Sequence, residues 1–510
     1  MSAWDETSLG DAIVAGVAAE DRSRIWVHGA RGGEVRVRAR RGAEVVAEVP
    51  LILEAERGCT AATTLEMPGC AGERVELELV RDGRTVARAR TRLCPGARAW
   101  ANQRMTFAVA SCHQPFTDAG EVHPASASML EAARVQVEAD DAAFVLLMGD
   151  QLYADAPASK SLFDPDYVAS LGFEDILDLS AAEVRRVFQH RYERFAGVPG
   201  FSRLLASVGT IPMPDDHEFV DNFGTHPDHA GPRWRAFKQG ALQAYRDHQG
   251  ARTALAERPS DSLDYAFTWG PVAVYGLDIR SNRETAEGKT RAYTGQQLED
   301  LRGFLARTAD MPVLALMVSI PLVHVSSRWV DAAARVLPLG SDLHERWSHA
   351  SCVEARDVLL GTILDHAVRN PRQKIILLGG DVHAGSAYQV DFADDGVQLL
   401  QLTSSPLSNE EGWLNARAGE AAAQALSSLE LSDGRSATVT SLRGRSEDLD
   451  RNPYGGLNLG LVDISTDAEG LATIGLRLVG HDGEGRPKTL LDTGPLGRRR
   501  DPETSVLGLA

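Results

Sequence analysis

The amino-acid sequence predicts an α/β protein: a layered domain of buried strands and helices, preceded by a small all-β domain. Three features lead there. Before about residue 93, apolar and polar residues alternate with period two, and an Asp-Gly pair punctuates the alternation. From about Thr106, short apolar runs take over, separated by helical segments. At the end of most of these runs stand Asp, His, Cys or Tyr, on the edge where open α/β sheets build their sites.

In the first region, Val35, Val37 and Ala39 alternate with Arg36, Arg38 and Arg40, as in a half-buried strand. Residues 75–91, VELELVRDGRTVARART, read as two strands joined at Asp82 and Gly83, a hairpin signal. Short strands with turns between them suggest a β-sandwich of the immunoglobulin or fibronectin kind. The arginine stripe reads as a solvated face, because acids interleave with it. Residues 94–103, CPGARAWANQ, read as a linker.

Beyond the linker, the apolar runs are FAVA (107–110), FVLLM (144–148), VGTIPM (208–213), VAVYGL (272–277), VLALMVSI (313–320) and IILL (375–378). Each suits a strand buried on both faces. Ser180 with Glu183 three residues later is a capping box that opens a helix near Ala181. Residues 413–445 read as helical or irregular, and the chain then returns to strands with a turn at Asp482 and Gly483. The expected boundaries are 1–97 for the sandwich, 104–490 for the layered domain and 491–510 for a tail, disordered from about Arg498.

Composition narrows the function. A chain of 510 residues holds more than one domain, and a net charge of −18 argues against non-specific binding to nucleic acid or an anionic membrane. An anionic substrate stays open, since bound cations reverse the local sign. The five cysteines form no CxxC pair; Cys59 and Cys70 are close enough in sequence to pair across a short loop, which the sequence leaves undecided. The N-terminus has no basic region followed by an apolar one, and no apolar run approaches the ~18 residues of a membrane span, so a cytoplasmic protein without membrane contact is expected. Oligomeric state is not legible.

The strand exits carry the chemistry. FAVA ends in Ser111, Cys112 and His113; FVLLM in Gly149, Asp150, Gln151, Leu152 and Tyr153; TIPM in Pro214, Asp215, Asp216, His217 and Glu218; VAVYGL in Asp278, Ile279, Arg280, Ser281, Asn282 and Arg283; IILL in Gly379, Gly380, Asp381, Val382 and His383. Taken singly, Cys112 reads as a small buried hydrophobe, Tyr153 as a packing residue, and Asp215 with Asp216 as a turn. As a set at five strand ends they read as one site for metal ions.

In order and content, SCHQP, FVLLMGDQLYAD, PMPDDHEFVDNFG, LDIRSNR and LLGGDVH resemble the alkaline phosphatase D (PhoD-like) family of the calcineurin-like metallophosphoesterases. The stretch GVAAEDRSRIWV also resembles that family's entry strand into its β-domain. The resemblance implies an αββα catalytic core and a metal-dependent phosphoesterase acting on phosphodiesters and monoesters. It implies Fe3+ with Ca2+ nearby, Mn2+ or Mg2+ being alternatives. The iron ligands carry over to Cys112, Asp150 and Tyr153, with Asp150 bridging to the second metal. Asp215 or Asp216, Asn222, Asp381 and His383 complete the metal set.

His217 is the candidate for protonating the leaving oxygen or orienting the phosphate, and Arg280 for holding a phosphoryl oxygen. His113 faces the substrate or caps its loop; Arg283, like Arg280, binds phosphate or pairs with an acid. Ser319 stands where many superfamily members have a metal-binding His, His324 is not a given replacement, and Glu345 fills the place of an acidic residue before a Trp. The rival class is a metal-binding or partner-binding protein without turnover on the same fold.

Overall fold

The structure is a computed structural model that describes residues 3–96, 100–256, 262–326, 330, 340–410 and 412–496. The tail expected from Arg498 lies outside these residues.

The N-terminal region forms two sheets. The strands Ala12–Ala18, Arg22–His28 and Thr60–Glu66 make one, and Glu44–Leu53, Gly33–Arg41, Arg74–Arg81 and Arg84–Arg92 the other. At the hairpin, Asp82 and Gly83 have φ of 50° and 76°, the left-handed pair a two-residue turn of matching twist requires. Arg36 and Arg38 lie on the outer face, bound to Glu48 at 3.0 and 2.7 Å. All five cysteines are free, so no bridge joins Cys59 to Cys70.

Two larger sheets follow. One has the order Thr210–Met213, Val145–Met148, Arg104–Ala110, Leu459–Thr466, Ala472–His481, Pro487–Leu496. The other runs Tyr265–Trp269, Val272–Leu277, Val313–Val318, Lys374–Gly379, Val397–Thr403, Ser386–Phe392, Ser436–Ser441, Ser428–Glu430. Their inner faces meet: Phe107, Leu146 and Met213 pack in one core with Val274, Met317 and Leu378. The outer face of the first sheet packs on helices Pro124–Ala139 and Pro199–Ser207, that of the second on Gly295–Arg307 and Val353–Arg369. Helix, sheet, sheet and helix therefore stack as an αββα body. The inter-sheet core continues without a break into that of the N-terminal sandwich, through Val37, Leu77 and Trp269.

The apolar runs sit where periodicity puts them, because a strand covered on both faces must be apolar throughout. The capping box also forms, and helix Ala181–Ala196 starts behind Ser180. Residues 413–445 differ from expectation: after helix Trp413–Gln424, Ser428–Glu430 and Ser436–Ser441 are the last two strands of their sheet, whose alternation is too short to register by itself. The last strand, Pro487–Leu496, runs past residue 490.

Parallel pairing brings the strand exits level. Ala110 pairs with Leu147 and Met148 with Met213, so Cys112, Asp150 and Asp215 emerge side by side. In the other sheet Gly379 pairs with Thr403, which sets Asp381 beside Ser405.

Candidate metal centre

Strand register and two glycines build the site. A Cβ on Gly149 would lie 2.4 Å from the Asp215 Cβ, and Gly149 also has φ +102°, so only glycine lets the exits of Val145–Met148 and Thr210–Met213 touch. A Cβ on Gly380 would lie 2.4 Å from Ser111 Oγ, at the point where the two sheets meet edge to edge. Beyond these glycines the backbone is held in an uncommon state. Five candidate ligands have left-handed φ: Cys112 (57°), Asp150 (59°), Asn222 (58°), Asp381 (61°) and His383 (50°). They are half of the non-glycine residues with positive φ among the described residues. Such conformations cost about 1–3 kcal/mol each and cluster at functional sites, where the strand exits are bent to aim side chains at one point.

Asp150, Asp215, Asp216 and Asp381 converge, each with an oxygen within 4.8 Å of the others, and Asp150, Asp216 and His217 form an overlapping trio. The Cys112 thiol donates to Asp150 Oδ2 at 3.3 Å and accepts from Ser405 Oγ at 3.1 Å. The Asn409 amide lies 3.5 Å from the Tyr153 hydroxyl and 3.4 Å from His383 Nε2, linking these two to the cluster's rim. Asn222 donates its backbone amide to Asp216 Oδ2 at 2.6 Å. The fold thus draws together Cys112, Asp150, Tyr153, Asp215, Asp216, Asn222, Asp381 and His383. His217 stands over them, stacked on Tyr153 at 4.0 Å, its Nδ1 held by Asp155 Oδ1 at 2.8 Å.

Three candidates occupy other places. Arg280 does not face the cleft: it is fully buried, bound to Asp215 and to Glu345 Oε2 at 2.7 Å, with Asp216 at 3.6 Å. Three carboxylates in its reach make it an internal counter-ion, unable to grip a substrate oxygen. Arg283 is buried behind it, donating to the Glu345 carbonyl at 3.4 Å, and takes neither of its expected roles. His113 turns away from the cleft, between Ser408 Oγ at 2.8 Å and the Phe195 carbonyl at 3.1 Å, stacked on Phe201. Burial pushes its imidazole down to about 3, so it is neutral and caps its loop. Ser319 is buried beside the Gly380 amide, and Glu345 joins the cluster through Arg280.

Three residues carry roles that the sequence did not assign. Arg346 reaches Asp381 from a partly exposed position, and Asn409 bridges Tyr153 and His383. Buried Glu218 accepts the backbone amides of Asp150 (3.0 Å), Gln151 (2.8 Å) and Asp215 (2.7 Å), fastening two strand exits to one carboxylate. Its place in DDHE, directly after the exit, was the available signal.

The electrostatics fit a cation. Burial lifts the Asp150 carboxyl and the Tyr153 phenol well above their ordinary ranges, and Cys112 beside each adds to the shift. Burial, with Asp381 nearby, takes the Cys112 thiol to about 11. Burial raises Asp215 to about 7 against the pull of Arg280; for Asp216, Arg280 and His217 overcome burial and hold it at about 2. Asp215 Oδ2 and Asp216 Oδ1 are buried and, among the described residues, accept no hydrogen bond. Hard carboxylate oxygens with a thiol and a phenol are a donor set for metal ions, whose charge favours the ionised form of each.

Two facing sheets with acidic, thiol and phenol groups converging at their shared edge define a metal-dependent phosphoesterase. A family model described as PhoD-like phosphatase matches residues 107–447, and the chain belongs to that family. No curated protein sequence matches it. A solved structure titled "Structure of PhoD" is similar at TM-score 0.63 and 14% identity, covering 95% of this chain and 92% of its own, a likeness of fold. A dimetal phosphatase from Danio rerio is matched at TM-score 0.35 and 11% identity, over 76% of this chain and 98% of its own, too low to carry an argument.

Proposed function

We propose that the protein hydrolyses phosphate esters, phosphodiesters ahead of monoesters, with Fe3+ and Ca2+ as its metals. Cys112, Asp150 and Tyr153 would hold the iron. Asp150, Asp215 or Asp216, Asn222, Asp381 and His383 would hold calcium. Bound cations at such a site supply positive charge to a phosphoryl oxygen and lower the pKa of water.

The chain's own residues do the rest. Asp155 fixes His217 through Nδ1, and Tyr153 supports the ring from one face. Burial disfavours the imidazolium, but Asp155 and Asp216 outweigh it and hold His217 well above its usual range. This favours the protonated form, which can give a proton to the leaving oxygen. Arg346, partly exposed beside Asp381, takes the phosphoryl-orienting role that buried Arg280 cannot fill. The charge of Arg280 instead keeps Asp216 ionised and Glu345 in place.

The convergence of the strand exits on one buried acidic cluster carries this reading. The metal-loaded protein is expected to hydrolyse a chromogenic phosphodiester, and Asp150→Ala to abolish it. No turnover on a broad panel of phosphate esters, with metal content verified, would leave a metal-binding protein.

A further inference from the structure

Arg191 lies outside the metal cluster, yet its surroundings are arranged around the cluster's loop. It projects from helix Ala181–Ala196 and is 3% exposed. Its hydrogen bonds all go to main-chain carbonyls of one loop: Nε to Tyr153, Nη2 to Ala156 at 2.5 Å and Nη1 to Lys160 at 2.7 Å. Among the described residues no carboxylate forms an ion pair with it, and burial lowers its pKa to about 10, which still leaves it charged. Asp155 attracts it from beyond contact distance, and a buried cation that touches no carboxylate is costly unless its donors are satisfied. Here carbonyl oxygens do that, helped by the faces of Trp4 at 4.9 Å and Phe195 at 5.8 Å. Trp4 in turn is held down by its amide on the Gly120 carbonyl at 2.7 Å and by Phe116 at 5.0 Å.

The loop so gripped carries Tyr153 and Asp155. Its other side is tied by the Ala154 amide to the His217 carbonyl at 2.9 Å, and by Asp155 to His217 and to the Asp221 amide at 2.7 Å. A shift of the Tyr153 carbonyl would move both the ring under His217 and the carboxylate behind it. We infer that Arg191, roofed by Trp4, is a positioning residue that latches loop 153–160 so that Tyr153 and Asp155 hold His217 over the cluster. This rests on the phosphoesterase reading only for its effect on turnover; the latch itself is a property of the loop. Lysine cannot replace it, having no fork of fixed donors to reach three carbonyls.

A cleft of about 570 Å³ is lined by Trp4, Lys160, Tyr167 and Arg191. A guanidinium ion can therefore refill the place emptied in Arg191→Ala. The test measures amide exchange along the chain, and kcat and KM on a chromogenic phosphodiester, for the full-length metal-loaded protein with and without millimolar guanidinium. Losing the latch should speed exchange in 153–160 by about tenfold or more and lower kcat by about tenfold or more, with KM within about twofold, since each of the three lost charge-assisted bonds is worth about a factor of ten. Guanidinium should reverse part of both changes, and Arg191→Lys should resemble the alanine variant. Trp4→Ala should give the same loop-confined exchange and covers the case in which Arg191→Ala does not fold. Unchanged exchange in 153–160, or exchange raised evenly over the whole molecule, overturns the latch. If the native protein hydrolyses no phosphate ester, the functional reading falls and the exchange data alone decide the latch.

Discussion

Glutamine at position 218 should loosen the metal centre without touching a metal ligand. Glu218 Oε2 accepts two backbone amides, from Asp150 and Asp215, and Oε1 accepts the third, from Gln151. Glutamine keeps one oxygen and turns the other into a donor. With the oxygen on the two-bond side, the Gln151 amide faces an NH2 group and loses its partner. One orphaned buried donor costs about 1–3 kcal/mol; alanine orphans all three, about 3–9 kcal/mol, comparable with a whole protein's stability of about 5–15 kcal/mol. Glu218→Gln should therefore fold with a lowered melting temperature, and Glu218→Ala should not accumulate as folded protein. Because Gln151 directly follows Asp150, whose amide hangs on the same side chain as that of Asp215, metal affinity should fall too, by about tenfold if about 1.4 kcal/mol of the loss reaches the site. Calcium titration and thermal melting of Glu218→Gln measure both. Wild-type melting together with wild-type metal affinity would refute the clamp.

Other substitutions test other parts of the arrangement. Arg280→Met leaves Asp215, Asp216 and Glu345 without their shared cation; a loss of about 3–5 kcal/mol is expected, and added Ca2+ should recover more melting temperature than it gives the wild type. With iron bound, the wild type should show a tyrosinate charge-transfer band that Tyr153→Phe removes; a colourless, fully metallated wild type would take iron out of the proposal. His113→Phe should lower stability by about 1–3 kcal/mol, because it deprives Ser408 and the Phe195 carbonyl of a partner, while kcat/KM changes little. Burial pushes Glu193 up, but hydrogen bonds from His190 and His28 outweigh it and hold the carboxyl at about 2. A folded value below the ordinary 4.5 means stabilisation present above about pH 4.5 and lost as pH falls toward 2, so Glu193→Gln should flatten melting temperature against pH in that window.

The layered body and the residues that converge at its strand exits were both legible in the chain, for one reason: a strand covered on two faces must be apolar throughout, and the polar residues that follow it are therefore at its exit. Cys112, Asp150, Asp215 and Asp381 are visible that way. The outermost strands Ser428–Glu430 and Ser436–Ser441 of the second sheet were not, because their pattern acquires meaning only beside Ser386–Phe392.

By itself, the order of residues determined the strands, the hairpin, the capped helix and the kinds of donor available at each exit, all of which depend on neighbours a few positions away. Tertiary structure alone decided which way the side chains turn. Arg280 and Arg283 follow a strand as the ligands do, yet are drawn inward by carboxylates and backbone from distant segments. His113 adjoins Cys112, but its partners are Ser408 and Phe195, on segments far along the chain. Glu218, Arg191 and Asn409 act through contacts tens to hundreds of residues away, which no local pattern encodes.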